Sequence, residues 1–393
     1  MLEDKRAAIL NLGCKVNKYE SDAMADKLKS AGMQIVEPEE IADVYIVNTC
    51  SVTNMAQKKS RQMLRRVRKK NPSAVIIAAG CYVNAEHEVL LKEDFIDILV
   101  GNNRKKDIVH VITQYLESKK QEDRALSTGN PPSQNTDFYV DINCVREYEE
   151  MGNIDVSAMD HRRAYIKIQD GCNQFCSYCI IPYTRGRVRS REKESILSEI
   201  EQLAEDGVKE FVLTGIHISS YGTDFGEGDL ADLIWAVEQL PMVKRIRLGS
   251  LEPRIITEKF LEKVGKSSKL CPHFHLSLQS GCNETLKRMN RKYTIEEFAE
   301  KCRMLREYFD RPAITTDVIV GFPGETEEEF AVTLDNLEKL NLYEIHVFKY
   351  SVRSGTAAEK FPNQIREEIK TKRSEILLQL TASQIREYET SLK

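Results

Sequence analysis

The sequence predicts an α/β protein with two parts, an N-terminal open parallel α/β sheet followed by a partial (β/α)6 barrel. Three observations predict this class. The chain has 393 residues, more than one hydrophobic core usually accommodates. Short apolar segments alternate with amphipathic helical segments in both parts. Between the parts lies a polar stretch, residues 119–160, whose composition is typical of a linker.

The N-terminal domain is expected to span residues 1–118. Its strand-like runs are nearly continuous in apolar residues, as in parallel strands that are covered on both faces. These runs lie at 6–12, 44–48 and 75–79. Ser21 looks like the N-cap of the first helix. One more strand is expected within the linker, at 138–142.

The barrel is expected to span residues 161–365, because six strand candidates recur there with helical segments between them. The strand candidates are 164–169, 210–214, 244–249, 273–278, 313–320 and 344–349. Residues 366–393 read as a C-terminal helical tail.

Composition excludes several classes of protein. Hydrophobic residues make up 41% and charged residues 30%, a balance typical of soluble globular proteins, and the net charge is only −4. No apolar run is long enough for a membrane span and the N-terminus lacks the flanks of a signal peptide, so a cytoplasmic location is expected. In a reducing compartment, clustered cysteines more often bind metal or do catalysis than form disulfides.

The strongest motif is a C-x3-C-x2-C triplet, Cys172, Cys176 and Cys179, directly after the first barrel strand. Thiolates are the usual ligands of iron–sulfur clusters, and three of them leave one iron of a four-iron cluster free to bind a small molecule. Active sites of barrels assemble at the carboxyl ends of the strands, where this triplet lies. A chance cluster or a zinc ribbon is the alternative, although no fourth ligand lies at a suitable spacing.

A second set of cysteines is dispersed in the sequence. Cys14, Cys50 and Cys81 each follow a predicted parallel strand, in the contexts NLGCKVN, VNTCSVT and AAGCYVN. Residues just beyond the carboxyl ends of neighbouring parallel strands lie along one edge of the sheet. We therefore expect the three thiols to converge on a second cluster, the alternative being three buried structural cysteines.

Both cysteine patterns together resemble the radical S-adenosylmethionine (SAM) methylthiotransferase family. The segments LGCKVNKYES, TGIHISSYG, HLSLQSGCNETLKRMNRKYT and TDVIVGFPGE are most similar to the branch that modifies N6-threonylcarbamoyladenosine in tRNA. The resemblance implies two [4Fe–4S] clusters, one held by each triad, with the barrel triad catalytic and binding SAM. It also implies a tRNA substrate and a low-potential electron donor. A monomer and no membrane association are the default expectations.

The implied reaction is the conversion of N6-threonylcarbamoyladenosine 37, just 3′ of the anticodon, to its 2-methylthio derivative. In the family mechanism one SAM methylates sulfur on the auxiliary cluster, and a second yields the radical that abstracts hydrogen from carbon 2 of the adenine. That carbon then attacks the methylated sulfur and forms the C–S bond. Another tRNA adenosine (isopentenyladenosine) or a ribosomal-protein side chain remains an alternative substrate. A non-catalytic protein that binds metal and RNA is the alternative from another class.

Further site residues follow from predicted strand ends and from the charge pattern. Polar groups that end barrel strands should face the shared cavity and, by the resemblance, contact SAM; they are Thr214, Gly215, Ser250, Glu252, Gln279, Ser280, Arg291 and Asp317. Two basic runs lie near the cysteines and could contact RNA phosphates; their members include Lys58, Lys59, Arg61, Arg65, Arg66, Arg185 and Arg187. The family usually ends in a TRAM RNA-binding domain, whereas this sequence ends at Lys393 without one.

Overall fold

The first sheet has six parallel strands in the order β2-β1-β3-β4-β5-β6. They are β1 (Arg6–Asn11), β2 (Gln34–Val36), β3 (Val44–Thr49), β4 (Val75–Gly80), β5 (Ile98–Val100) and β6 (Thr136–Phe138). The structure is a computed structural model that describes residues 2–126, 136–152, 154, 163–226 and 228–392.

Helices cover both faces of this sheet, which explains why β3 and β4 are buried along their whole length. They are α1 (Lys15–Ser30), α2 (Asn54–Lys70), α3 (Cys81–Ala85), α4 (His87–Leu90) and α5 (Ile108–Leu126). Helices α1 and α5 contribute to the core on one face, and α2, α3 and α4 to the core on the other.

The second unit is an open barrel of mostly parallel strands. It consists of a four-stranded and a three-stranded sheet, which isolated backbone bridges connect to each other. Its strands are β7 (Arg163–Asp170), the short antiparallel β8 (Arg189–Ser190), β9 (Glu210–Gly215), β10 (Arg245–Leu248), β11 (His273–His275), β12 (Ala313–Val320) and β13 (Glu344–Lys349). The described residues give no pairing between β7 and β13, so the barrel is partial.

Helices form the outer layer of the barrel and bury one continuous apolar core against its strands. They are α7 (Lys193–Glu205), α8 (Leu230–Glu238), α9 (Glu258–Val264), α10 (Asn283–Arg288), α11 (Ile295–Tyr308), α12 (Glu327–Leu340) and α13 (Glu367–Ser391). The short helix α6 (Ile181–Arg185) lies instead against the N-terminal unit, where Arg185 contacts Glu20. No helix in the described ranges is both long and apolar enough to cross a membrane.

The predicted fold class is confirmed, and all six barrel strands lie within a few residues of their predicted positions. Three local predictions differ from the structure. The first helix begins at Lys15, with Cys14 at its N-cap and Ser21 inside it. Residues 119–126 continue α5 instead of starting a linker, and 136–138 add an edge strand to the N-terminal sheet.

A buried ion cluster joins the two units. Glu20 of α1 accepts hydrogen bonds from Lys167 of β7 (2.8 Å) and from Arg185 of α6 (2.8 Å), and also pairs with Lys105. Asp170 at the end of β7 pairs with Lys167 at 2.7 Å and with Arg185 at 3.1 Å. Side chains of this ion cluster are at most 5% exposed, so each charge depends on the others for solvation.

Replacing Glu20 by Gln should destabilise the protein by about 3–5 kcal/mol, because it leaves buried cations without their shared carboxylate. The cations hold the pKa of Glu20 well below its usual value. Its stabilising contribution is therefore present above about pH 4.5 and is lost as the pH falls further. Thermal unfolding followed by circular dichroism at neutral pH measures the change. The exposed Glu117→Gln serves as control, and equal midpoints for both variants would contradict this account.

Candidate cluster sites

The first site is the loop between β7 and α6, which carries Cys172, Cys176 and Cys179. The turn into the loop requires glycine, since Gly171 has φ +73° and a Cβ there would lie 1.8 Å from the Arg187 carbonyl oxygen. The loop is held from across the barrel, because Asn290 Nδ2 donates to the Phe175 carbonyl at 2.8 Å. As residues, its three cysteines are partly exposed.

Burial raises the pKa of the Cys172 thiol to about 11 and that of Cys179 to about 12. The Gln174 amide, which hydrogen bonds to Cys172, and the nearby charge of Arg291 act against this rise. Arg291 Nη1 lies 3.1 Å from Cys176 Sγ, and the Gln174 amide lies 3.5 Å from Cys172 Sγ. Such donors and a nearby positive charge stabilise thiolates, the form in which cysteine binds iron.

The second site forms at one edge of the N-terminal sheet. Cys14, Cys50 and Cys81 follow β1, β3 and β4, which are neighbours in register. The backbone packs tightly there, since Gly13 has φ +107° and a Cβ added to it would lie 2.9 Å from Cys50 Sγ. The structure therefore brings together three cysteines that are separated in sequence by more than 30 residues each.

Cys14 borders solvent, yet the surrounding protein raises the pKa of its thiol by desolvation. Cys50 and Cys81 are buried beside it, and burial raises the pKa of Cys50 to about 11. Cys81 Sγ accepts hydrogen bonds from Arg185 Nε at 3.3 Å and from Asn102 Nδ2 at 3.5 Å.

The spacing of the sulfur atoms distinguishes a cluster from zinc. Zn–S bonds of about 2.3 Å in a tetrahedron hold sulfurs roughly 3.8 Å apart. Among the described residues, neither cysteine triad has its ligand atoms within 4.8 Å of one another; His275, Asp317 and His346 do. In a four-iron cluster each thiolate binds a different iron, so wider spacing fits a cluster better than one ion.

The expected SAM contacts are only partly brought together. Gln279 and Asp317 meet, because the Gln279 amide donates to the Asp317 carbonyl at 2.8 Å, and both line one cavity. Thr214 and Gly215 are the last two residues of β9. Ser250 and Glu252 lie just beyond β10, where Ser250 is exposed and Glu252 forms an ion pair with Arg254.

Two of those expected contacts have other partners in the structure. Ser280 departs from the expectation, since its buried hydroxyl contacts Thr333 of the helix layer at 3.3 Å. Arg291 is fully engaged by Cys176, the Ser277 carbonyl and Tyr293.

The expectation that Arg185 contacts RNA is wrong, because its side chain is completely buried in the ion cluster between the units. Arg187 is exposed and lies over the Phe175 ring at 4.5 Å. On α2, Arg61 and Arg65 share the carboxylate of Glu93, whereas no ion pair is found for the exposed Lys58, Lys59 and Arg66 within the described ranges. Two of these five basic residues are thus paired with one acid that lies some 30 residues away.

Sequence reasoning missed a cavity of about 270 Å³ between the units, to which both contribute. Val52 and Thr53 line it from the N-terminal unit. The barrel contributes Tyr178, Gln279, Asp317, Ile319, Phe348, Lys349, Tyr350, Ser351 and Arg353. Tyr178 sits next to Cys179 and Val52 lies two residues after Cys50, so the cavity adjoins both sites. No local motif marks Arg353, which is only 3% exposed and bonds Asn54 Oδ1 at 2.7 Å.

Anaerobically reconstituted protein should contain about eight irons per chain, because each triad holds one four-iron cluster. Replacing Cys172, Cys176 and Cys179 by Ala should leave about four, and so should replacing Cys14, Cys50 and Cys81. Iron and acid-labile sulfide analysis measures this, with Cys144→Ala and Cys271→Ala as controls that keep the full content. Complete loss of iron on replacing the barrel triad alone would show that the second triad holds no cluster.

Known proteins resemble the chain along most of its length. Residues 166–337 match the Radical SAM superfamily and residues 6–101 match the uncharacterized protein family UPF0004. The Threonylcarbamoyladenosine tRNA methylthiotransferase MtaB of Bacillus subtilis is 41% identical over 97% of this chain and 81% of its own length. The MtaB of Aquifex aeolicus is 35% identical over 98% of this chain and 89% of its own length. A tRNA-2-methylthio-N(6)-dimethylallyladenosine synthase of Thermodesulfovibrio yellowstonii is 37% identical over 95% of this chain and 82% of its own length.

Solved structures support the fold. TsrM, a radical S-adenosylmethionine methyltransferase from Kitasatospora setae, has a TM-score of 0.61 at 16% identity, over 88% of this chain and 75% of that chain. The cobalamin-dependent S-adenosylmethionine radical enzyme OxsB has a TM-score of 0.57 at 12% identity, over 96% of this chain and 56% of that chain. From the relatives' identity and coverage, this chain belongs to the radical SAM tRNA methylthiotransferase family.

Proposed function

We propose that this protein converts N6-threonylcarbamoyladenosine in tRNA to its 2-methylthio derivative. The observation that carries the proposal is the cavity shared by the two units, with one three-cysteine site adjoining it on each side. The Bacillus subtilis relative named for this nucleoside is 41% identical, whereas the Thermodesulfovibrio yellowstonii relative named for the dimethylallyl nucleoside is 37% identical. That difference favours the threonylcarbamoyl substrate.

The two triads have separate roles in this proposal. When bound, the barrel cluster would supply radical cleavage of SAM and the other cluster would present the sulfur to be transferred. The chain's own residues hold thiolates in place, through Arg291 at Cys176 and Arg185 at Cys81. Protein around such cofactors mainly positions them and excludes competing reactions. Thr214, Gly215, Gln279 and Asp317 would line the SAM pocket.

The cavity offers a purine both apolar surface and polar groups. Tyr178, Phe348 and Tyr350 supply aromatic surface, and an extruded base is commonly held by stacking and edge contacts. Arg353 supplies positive charge. Its Nη1 donates a hydrogen bond to Asn54 Oδ1. Its Nε is buried and has no hydrogen-bond partner among the described residues. The positive charge of Arg353 would attract an anionic group of a substrate nucleotide in the cavity.

RNA would approach along α2, which begins at this cavity. Thr53 caps the helix by accepting from the Ala56 amide at 3.1 Å, and the first turn carries no acidic residue. Lys58, Lys59, Arg66 and Lys69 are exposed along the helix and form no ion pair within the described ranges. Phosphate contacts position a nucleic acid on a protein without reading its sequence. A low-potential electron donor and a monomeric state belong to the same proposal.

The purified, reconstituted enzyme should methylthiolate an anticodon stem-loop that carries N6-threonylcarbamoyladenosine, given SAM, a reductant and a sulfur source. Nucleoside digestion and mass spectrometry detect the product. A stem-loop with isopentenyladenosine is the comparison substrate, and the Cys172→Ala variant is the control for the radical reaction. Turnover of the isopentenyl substrate with none of the threonylcarbamoyl substrate would overturn the proposed specificity.

Changing Lys58, Lys59, Arg66 and Lys69 to Ala together should weaken tRNA binding and flatten its salt dependence, since fewer counterions are released. Fluorescence anisotropy at several salt concentrations measures both. A matched variant changes Lys244, Lys259, Lys266 and Lys372, which are exposed on the barrel, and should bind normally. Equal losses for the two variants would mean that α2 is not the RNA face.

A further inference from the structure

Arg185 connects the two cysteine sites. It is the last residue of α6, six positions after Cys179 of the barrel triad, yet its Nε donates to Cys81 of the other triad. Two more residues of the N-terminal unit fix the guanidinium. Asn17 Oδ1 accepts from Nη2 at 2.6 Å, and Glu20 accepts from both terminal nitrogens at 2.8 and 3.1 Å. The guanidinium cannot leave Cys81 without breaking these bonds.

The charges around Arg185 do not balance without the thiols. Lys105, Lys167 and Arg185 share only the carboxylates of Glu20 and Asp170. Further out, Arg189 at 3.9 Å from Asp170 and the buried Glu149 add one charge of each sign. One positive charge therefore remains in excess in a buried region, where an uncompensated charge is costly.

Anionic sulfur is the group placed to balance this excess. Geometry places the Arg185 guanidinium against the second triad, because its Nε donates to Cys81 Sγ at 3.3 Å. A cluster held by three thiolates would bring net negative charge to the same place.

We propose that Arg185 is the positioning residue of the cluster held by Cys14, Cys50 and Cys81, orienting Cys81 and raising the cluster's reduction potential. This inference rests on the proposed function only in requiring that this triad hold a cluster. A reduced cluster is more negative than an oxidised one. A hydrogen bond and a positive charge at its sulfur ligand therefore stabilise the reduced form.

The same side chain would also set the position of one cluster relative to the other. Between Cys179 and Arg185 the chain forms one short helix of five residues, α6, which at 1.5 Å per residue is roughly 7.5 Å long. The backbone of Arg185 follows the barrel triad through α6, and its guanidinium is bound to Cys81 of the other triad. Neither site can therefore shift without disturbing the other. Losing this side chain should therefore affect the second cluster specifically and not only the stability of the fold.

The test uses the full chain with Cys172, Cys176 and Cys179 replaced by Ala, so that only the second cluster reports. Its midpoint potential is measured by reductive titration followed by electron paramagnetic resonance, and its iron content by chemical analysis. Arg185→Gln should shift the midpoint to lower potential and speed loss of iron to a chelator. Arg185→Lys keeps the charge but cannot make the several simultaneous hydrogen bonds of the guanidinium. Its midpoint potential should therefore fall between those of the parent and Arg185→Gln.

Lys167→Gln is the matched control, because Lys167 is equally buried and pairs with the same two carboxylates but makes no bond to a thiol. It should lower stability while shifting the midpoint clearly less than Arg185→Gln. Equal shifts in the two variants, or none in Arg185→Gln, would overturn the proposal. If Arg185→Gln does not fold, an unchanged midpoint in Arg185→Lys would overturn it equally. Absence of iron from the parent would instead contradict the proposed function.

Discussion

The buried carboxylate of Glu20 is the constraint on which the arrangement of the two units depends. It lies on α1, one turn and a half after Cys14, and it can remain ionised only while cations from three separate segments surround it. Two of those cations come from the barrel. Docking of the barrel is therefore the condition under which α1, and with it the first cysteine of the second site, takes its position.

The sequence predicted the elements of the fold well because each carries its own periodicity. It also predicted the convergence of Cys14, Cys50 and Cys81, since strand order in a parallel sheet follows from general rules and places the carboxyl ends together. The helix start at Ser21 was wrong for a physical reason: Cys14 occupies the N-cap with no side-chain hydrogen bond, so the usual capping signal is missing.

Side-chain partners were the part that the sequence could not supply. Arg185 stands in an alternating basic run that looks like a solvated face, and only the fold reveals Glu20, 165 residues away, as its partner. Glu93 neutralises Arg61 for the same reason. The direction of Ser280, toward the helix layer, depends on the positive φ of Gln279 before it. Charge patterns indicate charge density along the chain, whereas pairing is decided by tertiary contacts.

The two sites share one electrostatic design. Burial opposes ionisation of the thiols in both, and in both an arginine fixed by other residues donates to one sulfur, Arg291 at Cys176 and Arg185 at Cys81. Each guanidinium is held in place before any metal arrives, so little reorganisation is needed when the ligands lose their protons to iron. Planar, always-charged arginine suits this role better than lysine.

The ion cluster at the interface also limits how such proteins can be recombined. A barrel taken from this chain carries Lys167 and Arg185 with too few carboxylates, and a sheet unit taken from it carries Glu20 with only Lys105. Either half alone would expose these charges to water, so the missing partners matter once that half is docked on a new domain and the charges are buried again. A chimera that joins this barrel to another sheet domain will need an acidic residue on that domain's first helix, facing the barrel at the place where Glu20 now lies.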